Sequence, residues 1–122
     1  MKAIIVEPDE RPRVADIQSG LRSLRAIVCK NGGHIEVVYP FEDNVGIICN
    51  EEGKIRGLPL NRALRNENGD AYDVICGNFI IAGLDDEDFT SLTDEQVEKY
   101  TKMFYKKELF IRKGQRLVSF TV

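Results

Sequence analysis

DVICGNFIIAGL, Asp73 to Leu84, is the most apolar stretch of this chain. Val74, Ile75, Phe79, Ile80 and Ile81 follow one another with few polar interruptions. A short run of this kind, rich in β-branched residues, reads as a buried central strand. Gly77-Asn78 breaks the run, and glycine inside a strand marks a bulge or a close backbone approach.

Upstream of this strand lies the polar loop RNENGDAY, and before it GLPLNRAL, Gly57 to Leu64. Pro59 suits the first turn of a short helix, where its missing N–H is not needed. Leu60, Ala63 and Leu64 then face the core, and Arg62 and Arg65 fall three apart on neighbouring positions. Two earlier strands, HIEVVYP and NVGIICN, are joined by FEDN. Gly53 occupies a turn in NEEGK, after which KIRGL can fold back as a short strand.

Further upstream the period changes. Leu21, Leu24, Ile27 and Val28 share a helical face, with Ser19 as the expected N-cap and Asn31-Gly32-Gly33 as the exit. KAIIVEP and RVADI, separated by a proline-rich turn, form an opening hairpin. Downstream, Thr93 and Gln96 make a capping-box pattern, and Asp94 and Glu95 favour the positive end of a helix dipole. Val97, Tyr100 and Phe104 share one face of that helix. RLVSFTV closes the chain as a strand.

The resulting order is β-β-α-β-β-(short helix)-β-α-β. Hairpins outnumber βαβ units, so the expectation is an α+β fold, a mostly antiparallel sheet of about five to seven strands with two main helices. The chain, residues 1–122, is expected to form a single domain.

Composition narrows the function classes. The net charge is −3, with 30% charged and 43% hydrophobic residues. This balance gives no global field for gripping nucleic acid. Cys29, Cys49 and Cys76 share no C-x-x-C spacing, and read as reduced, buried thiols suited to a cytoplasmic location. No run approaches the length of a membrane span, and the short apolar start is no signal peptide.

Catalytic signatures are sparse. The serines lie in no G-x-S-x-G elbow, and there is no phosphate-binding loop or dinucleotide fingerprint, so no cofactor is expected. His34 is the only histidine and reads as structural. Glu36, Glu42, Asp43, Glu51 and Glu52 provide paired carboxylates around the third and fourth strands. Asp85 to Asp88 lacks EF-hand spacing, and no metal site is assigned. Lys99, Lys102, Lys106, Lys107, Arg112, Lys113 and Arg116 form a basic strip with Tyr105 and Phe110 interleaved, a pattern that can track phosphates but that the helix dipole alone also favours.

The candidate site is GLPLNRAL and its surroundings. Gly57 lets the backbone approach a ligand closely, and Asn61, Arg62 and Arg65 supply donors for an anion. A structural reading stands beside it. Arg62 can pair with a carboxylate such as Asp73 or Glu36 and fasten the loop to the sheet, with Asn61 tying off backbone groups.

Two blocks, GGHIEVVYPFEDNVGIICNEEGKIRGLPLNRAL and YDVICGNFIIAGLDDEDFTSLTDEQVEKYTKMF, resemble the domain-of-unknown-function family numbered 3846, as does the opening IIVEPDERPRV. NEEGK…GLPLNR and GNFIIAGL are the most distinctive parts. Asn78 departs from the threonine expected there. The resemblance implies a bacteriophage or mobile-element origin and a cytoplasmic location. It brings no activity and no site residue.

The leading expectation is a non-catalytic binding protein, in counter-defence, that sequesters a small anionic ligand such as a nucleotide signal near Arg62. Its rivals are an inhibitor or adaptor of a host protein, a metal-assisted phosphoesterase using the Glu36–Asp43 carboxylates, and a nucleic-acid binder using the basic strip. Pairing between copies along exposed strand edges stays open.

Overall fold

The computed structural model describes residues 1–122. The elements are β1 (Lys2–Val6), β2 (Arg13–Asp16), α1 (Leu21–Val28), β3 (Ile35–Val38), β4 (Val45–Asn50), β5 (Leu60–Arg65), β6 (Ala71–Cys76), β7 (Phe79–Asp85), β8 (Asp88–Thr90), α2 (Asp94–Met103), β9 (Glu108–Lys113) and β10 (Arg116–Thr121). The fold is α+β with two helices, and every strand pair is antiparallel.

The main sheet runs β2-β1-β7-β4-β3, with β8 added to the far part of β7. β7 lies between β1 and β4, as its apolar run requires. Its side chains alternate between two cores. Phe79 and Ile81 join Ile4, Val6, Val45, Ile47, Tyr100 and Phe104 on the α2 face. Ile80 and Ala82 join Ala3, Ile5, Ile48, Leu24 and Val28 on the α1 face. Burial on both sides explains why these strands show no polar alternation.

α2 begins with the expected capping box: Gln96 N–H donates to the Thr93 hydroxyl, and the Thr93 N–H donates to the Gln96 side chain. α1 starts differently. Its N-cap is Gly20, with no side-chain cap, so Ser19 does not play that part.

Three expectations are corrected. GLPLNRAL forms no short helix; residues 51–57 make consecutive turns, and Leu60–Arg65 is strand β5. The fold-back strand expected in KIRGL is absent for the same reason. DVICGNFIIAGL is two strands. Gly77, at φ +83°, turns the chain out of β6 and into β7, which belongs to a different sheet. β5 and β6 pair as a separate hairpin on the α2 face, where Leu64 and Ile75 enter the core. A second ribbon, β9–β10, extends from the end of α2 and raises the strand number to ten.

Candidate functional site

Asn61 and Arg62 sit at the junction between the β5–β6 hairpin and the main sheet. Successive strand residues ordinarily point to opposite faces. A register shift between Leu60 and Arg62 interrupts the pairing with β6, and both side chains are buried. A bulge re-aims side chains in this way.

Every donor of the Asn61 amide is used inside the protein. Its Nδ2 donates to Val6 O at 3.0 Å and to Gly77 O at 2.8 Å, and its Oδ1 accepts from Arg62 Nη1 at 2.9 Å. The Arg62 guanidinium, 1% exposed, engages all three of its nitrogens. Nε donates to Phe104 O at 3.2 Å, Nη1 to Asn61, and Nη2 to Glu10 O at 2.6 Å. Its partners are neutral oxygens, not Asp73 or Glu36. Burial lowers its pKa from the ordinary guanidinium value, and the nearby Glu108 carboxylate works against that shift. The two side chains therefore fasten β5 to the end of β1, the β1–β2 turn, the β6–β7 corner and the C-terminus of α2.

Asp73 is instead held by Lys54. Arg65 pairs with Glu108 at 3.1 Å and also reaches Ser119 Oγ at 3.2 Å and Gly69 O at 3.3 Å. Gly57, at φ +66°, shapes the turn before β5, and a Cβ there would meet nothing within 4 Å. Of the four residues expected to bind a ligand, Arg62 and Arg65 line one cavity, while Gly57 and Asn61 do not reach it.

That cavity is an open groove of about 780 Å³ between α2 and the β5–β6 hairpin. Its size lies in the range of small-molecule sites. Phe41, Leu64, Val97, Met103 and Phe104 give it an apolar floor, and Tyr72 and Tyr105 stand at its sides. Thr101 contributes a buried hydroxyl with no hydrogen-bond partner. A buried polar atom left unpaired is uncommon in a native fold. Lys102 and Lys106 line the rim, and neither joins any of the ion pairs that occupy the other basic residues nearby, Arg65 and Lys107. Glu108, which also lines it, is already neutralised by Arg65.

A second groove, about 600 Å³, lies between the end of α1 and the turns at 51–57. It is polar, and most of its side-chain donors are committed: Asn78 to Ile27 O, Asn50 to Gly32 O, and Arg56 to Glu52 and Asn31 O, with Lys30 outside any ion pair.

Of the carboxylates considered for catalysis, Glu36 and Glu51 line a small third pocket of about 200 Å³, beside the Lys54–Asp73 ion pair, and Glu42, Glu52 and Asp43 lie outside it. No group of three or more His, Cys, Asp or Glu side chains is placed to hold a metal ion. Asp43 accepts hydrogen bonds from Gln96 and Tyr100 and so braces α2. All three cysteines are free and buried, and burial pushes the Cys49 thiol up to about 12. A thiol so shifted is a poor nucleophile.

Sequence reasoning found the Val97/Tyr100/Phe104 face and the lysines of the groove, but not Phe41, Tyr72 or Thr101. Tyr72 sits in a segment read as loop. The signal for Thr101 is its place four positions after Val97 and three before Phe104, on one face of α2.

A family model described as a domain of unknown function (DUF3846) matches residues 1–105. No curated protein and no solved structure matches the chain. No helix is long and apolar enough to cross a membrane.

Proposed function

This chain belongs to the DUF3846 family, and on that footing we propose that it is a non-catalytic binding protein. Its groove between α2 and the β5–β6 hairpin takes a small anion with an apolar or aromatic body, of which a nucleotide is the leading example. The observation that carries this reading is the pairing of an apolar floor with two lysines that join no ion pair, Lys102 and Lys106, against one lining carboxylate also outside any ion pair, Glu98, a turn before Lys102 on α2. An apolar site with a few convergent polar groups is the usual form of a ligand pocket. The aromatic rings of Tyr72, Tyr105 and Phe41 suit a flat heterocycle.

Arg62 contributes to such a site by forming its wall. Sequestration of a nucleotide signal by a phage or mobile-element protein in the cytoplasm of its host, in counter-defence, is the biological role we attach to this groove.

The test is a thermal-shift panel of purine and pyrimidine mononucleotides, cyclic nucleotides and inorganic phosphate. A binder at one hundred times its Kd stabilises the fold by about 2.7 kcal/mol. The Lys102→Glu/Lys106→Glu variant should fold normally and lose that response. A flat panel, or an equal response in the variant, contradicts the proposal. Inorganic phosphate acting as well as a nucleotide contradicts the part assigned to the aromatic floor.

A further inference from the structure

The charge of this chain is segregated. From Lys99 onward there are seven Lys or Arg and one Asp or Glu, a formal +6; residues 1–98 hold ten Lys or Arg and nineteen Asp or Glu, a formal −9. The overall value of −3 conceals this division. The single acid of the C-terminal part, Glu108, is turned inward to Ala63 N–H and Arg65. Charge asymmetry of this degree is a mark of polyanion binding.

The fold puts three of these cations at one point. The β9–β10 ribbon is held at its base, where Lys107 and Val122 exchange backbone hydrogen bonds and Arg11 Nη1 donates to Val122 O and Tyr105 O. Ser119 is bonded by Arg65. Beyond Phe110 and Ser119 the ribbon makes no hydrogen bond or ion pair to the rest of the chain. Its tip turns through Gly114, at φ +61°, and carries Arg112, Lys113 and Arg116, all exposed.

Lys113 and Arg116 lie directly opposite each other in the ladder. Like charges in facing positions destabilise a strand pair, and an isolated two-stranded ribbon is marginal in water. A polyanion at the tip removes that repulsion. Arg112 lies on the other face of the ribbon from Lys113, so cations flank the tip on both sides.

We propose that the β9–β10 ribbon docks on duplex DNA, its tip entering the major groove with Arg112, Lys113 and Arg116 on phosphates of the two walls. The major groove of B-form DNA admits a two-stranded ribbon. The deep, narrow major groove of A-form RNA does not. The acidic body stands off the duplex and confines contact to the ribbon. The base of the ribbon borders the groove through Glu108 and Thr121, but Arg112, Lys113 and Arg116 at its tip do not line it.

The experiment is fluorescence anisotropy of the full chain with a labelled duplex DNA, the equivalent duplex RNA and the single-stranded DNA, at several salt concentrations. Duplex DNA should bind most tightly. Three neutralised phosphates give a slope near −2.7 in log K against log salt, so affinity should fall about fortyfold between about 50 and 200 mM salt. Arg112→Glu/Lys113→Glu/Arg116→Glu should abolish binding and leave the melting temperature at or above the original. Arg22→Glu/Lys30→Glu, two exposed cations on and after α1, should weaken it little. The proposal is overturned if duplex DNA does not bind at the lowest salt, if duplex RNA or single-stranded DNA binds better, if the tip variant binds as well as the original, or if light scattering shows the ribbon joining two copies with no DNA response.

Discussion

Asn61 Oδ1 accepts a hydrogen bond from Arg62 Nη1 at 2.9 Å, although the two are neighbours on one strand. The bulge that makes this contact feasible turns two polar side chains into a clamp. One holds Val6 O and Gly77 O, the other Phe104 O and Glu10 O. The clamp answers why an asparagine and an arginine interrupt the apolar run of GLPLNRAL. It also positions the wall of the groove, because Arg62, Ala63, Leu64 and Arg65 all line that cavity.

Removing Arg62 leaves buried carbonyl oxygens and the Asn61 Oδ1 without partners, and each such group costs about 1–3 kcal/mol. Arg62→Met should therefore lose about 3–5 kcal/mol of stability in urea unfolding. A double-mutant cycle with Asn61→Leu should give a coupling of about 1–3 kcal/mol. A loss below about 1 kcal/mol would mean that the hairpin is held by its apolar contacts alone.

Gly77 is needed for its backbone conformation and for space. A Cβ there would lie 2.8 Å from Leu58 Cδ1, at φ +83°. Gly69 has the same φ but open surroundings. Gly69→Ala should cost about 1–2 kcal/mol for the left-handed backbone, and Gly77→Ala more, since Leu58 must also move. Equal losses by thermal unfolding would refute the packing part of this argument.

The Asp43–Tyr100 contact predicts how stability depends on pH. Partial burial pushes the Asp43 carboxyl upward, but hydrogen bonds from Gln96, Tyr100 and Asn44 outweigh it, and the pKa lies below the ordinary value. Its contribution is present above the unfolded-state pKa and disappears as pH falls through the folded one. Burial and then the Asp43 hydrogen bond push the Tyr100 hydroxyl up to about 12. Its contribution is intact below the ordinary tyrosine value and is lost as pH rises toward 12. Tyr100→Phe should flatten the alkaline limb of stability against pH and reduce the acid limb. An unchanged alkaline limb would show that Tyr100 ionises as freely in the folded state as in the unfolded one.

The cysteines should be inert. Cys29, Cys49 and Cys76 are buried, and burial raises the pKa of each. A thiol reagent at mild alkaline pH should modify none of them in the native protein and all three after unfolding. Rapid labelling of Cys49 in the native state would contradict its place in the core.

What was legible in the sequence is what local chemistry decides. The β7 run, the opening hairpin and the α2 capping box each carry their own signal, because buried β-branched residues and an N-cap need no distant partner to be recognised. GLPLNRAL reads as a helical turn because Pro59 and the spacing of Leu60, Ala63 and Leu64 fit a helical turn and a strand equally over so few residues. The tie was broken by β6, which pairs with it across the Asn66–Asp70 turn, and by the α2-side core that Leu64 enters. Likewise, no local signal could show that the chain changes sheets at Gly77, since the apolar character continues through the corner. The partners of Arg62 were illegible for a related reason. Apart from the neighbouring Asn61 side chain, they are main-chain oxygens at residues 10 and 104, which every residue type supplies. The groove was half legible: its lysines stood in a visible basic strip, but only the packed structure separates Lys102 and Lys106 from the cations of the ribbon tip.

The most direct test of the groove is a titration of adenosine monophosphate into isotope-labelled protein, followed by amide NMR shifts. The account predicts saturable changes at Leu64, Val97, Thr101 and Lys102, absent in the Lys102→Glu/Lys106→Glu variant. Silence at millimolar nucleotide, or changes confined to Lys30, Arg56 and Asn78 around the second groove, would contradict it.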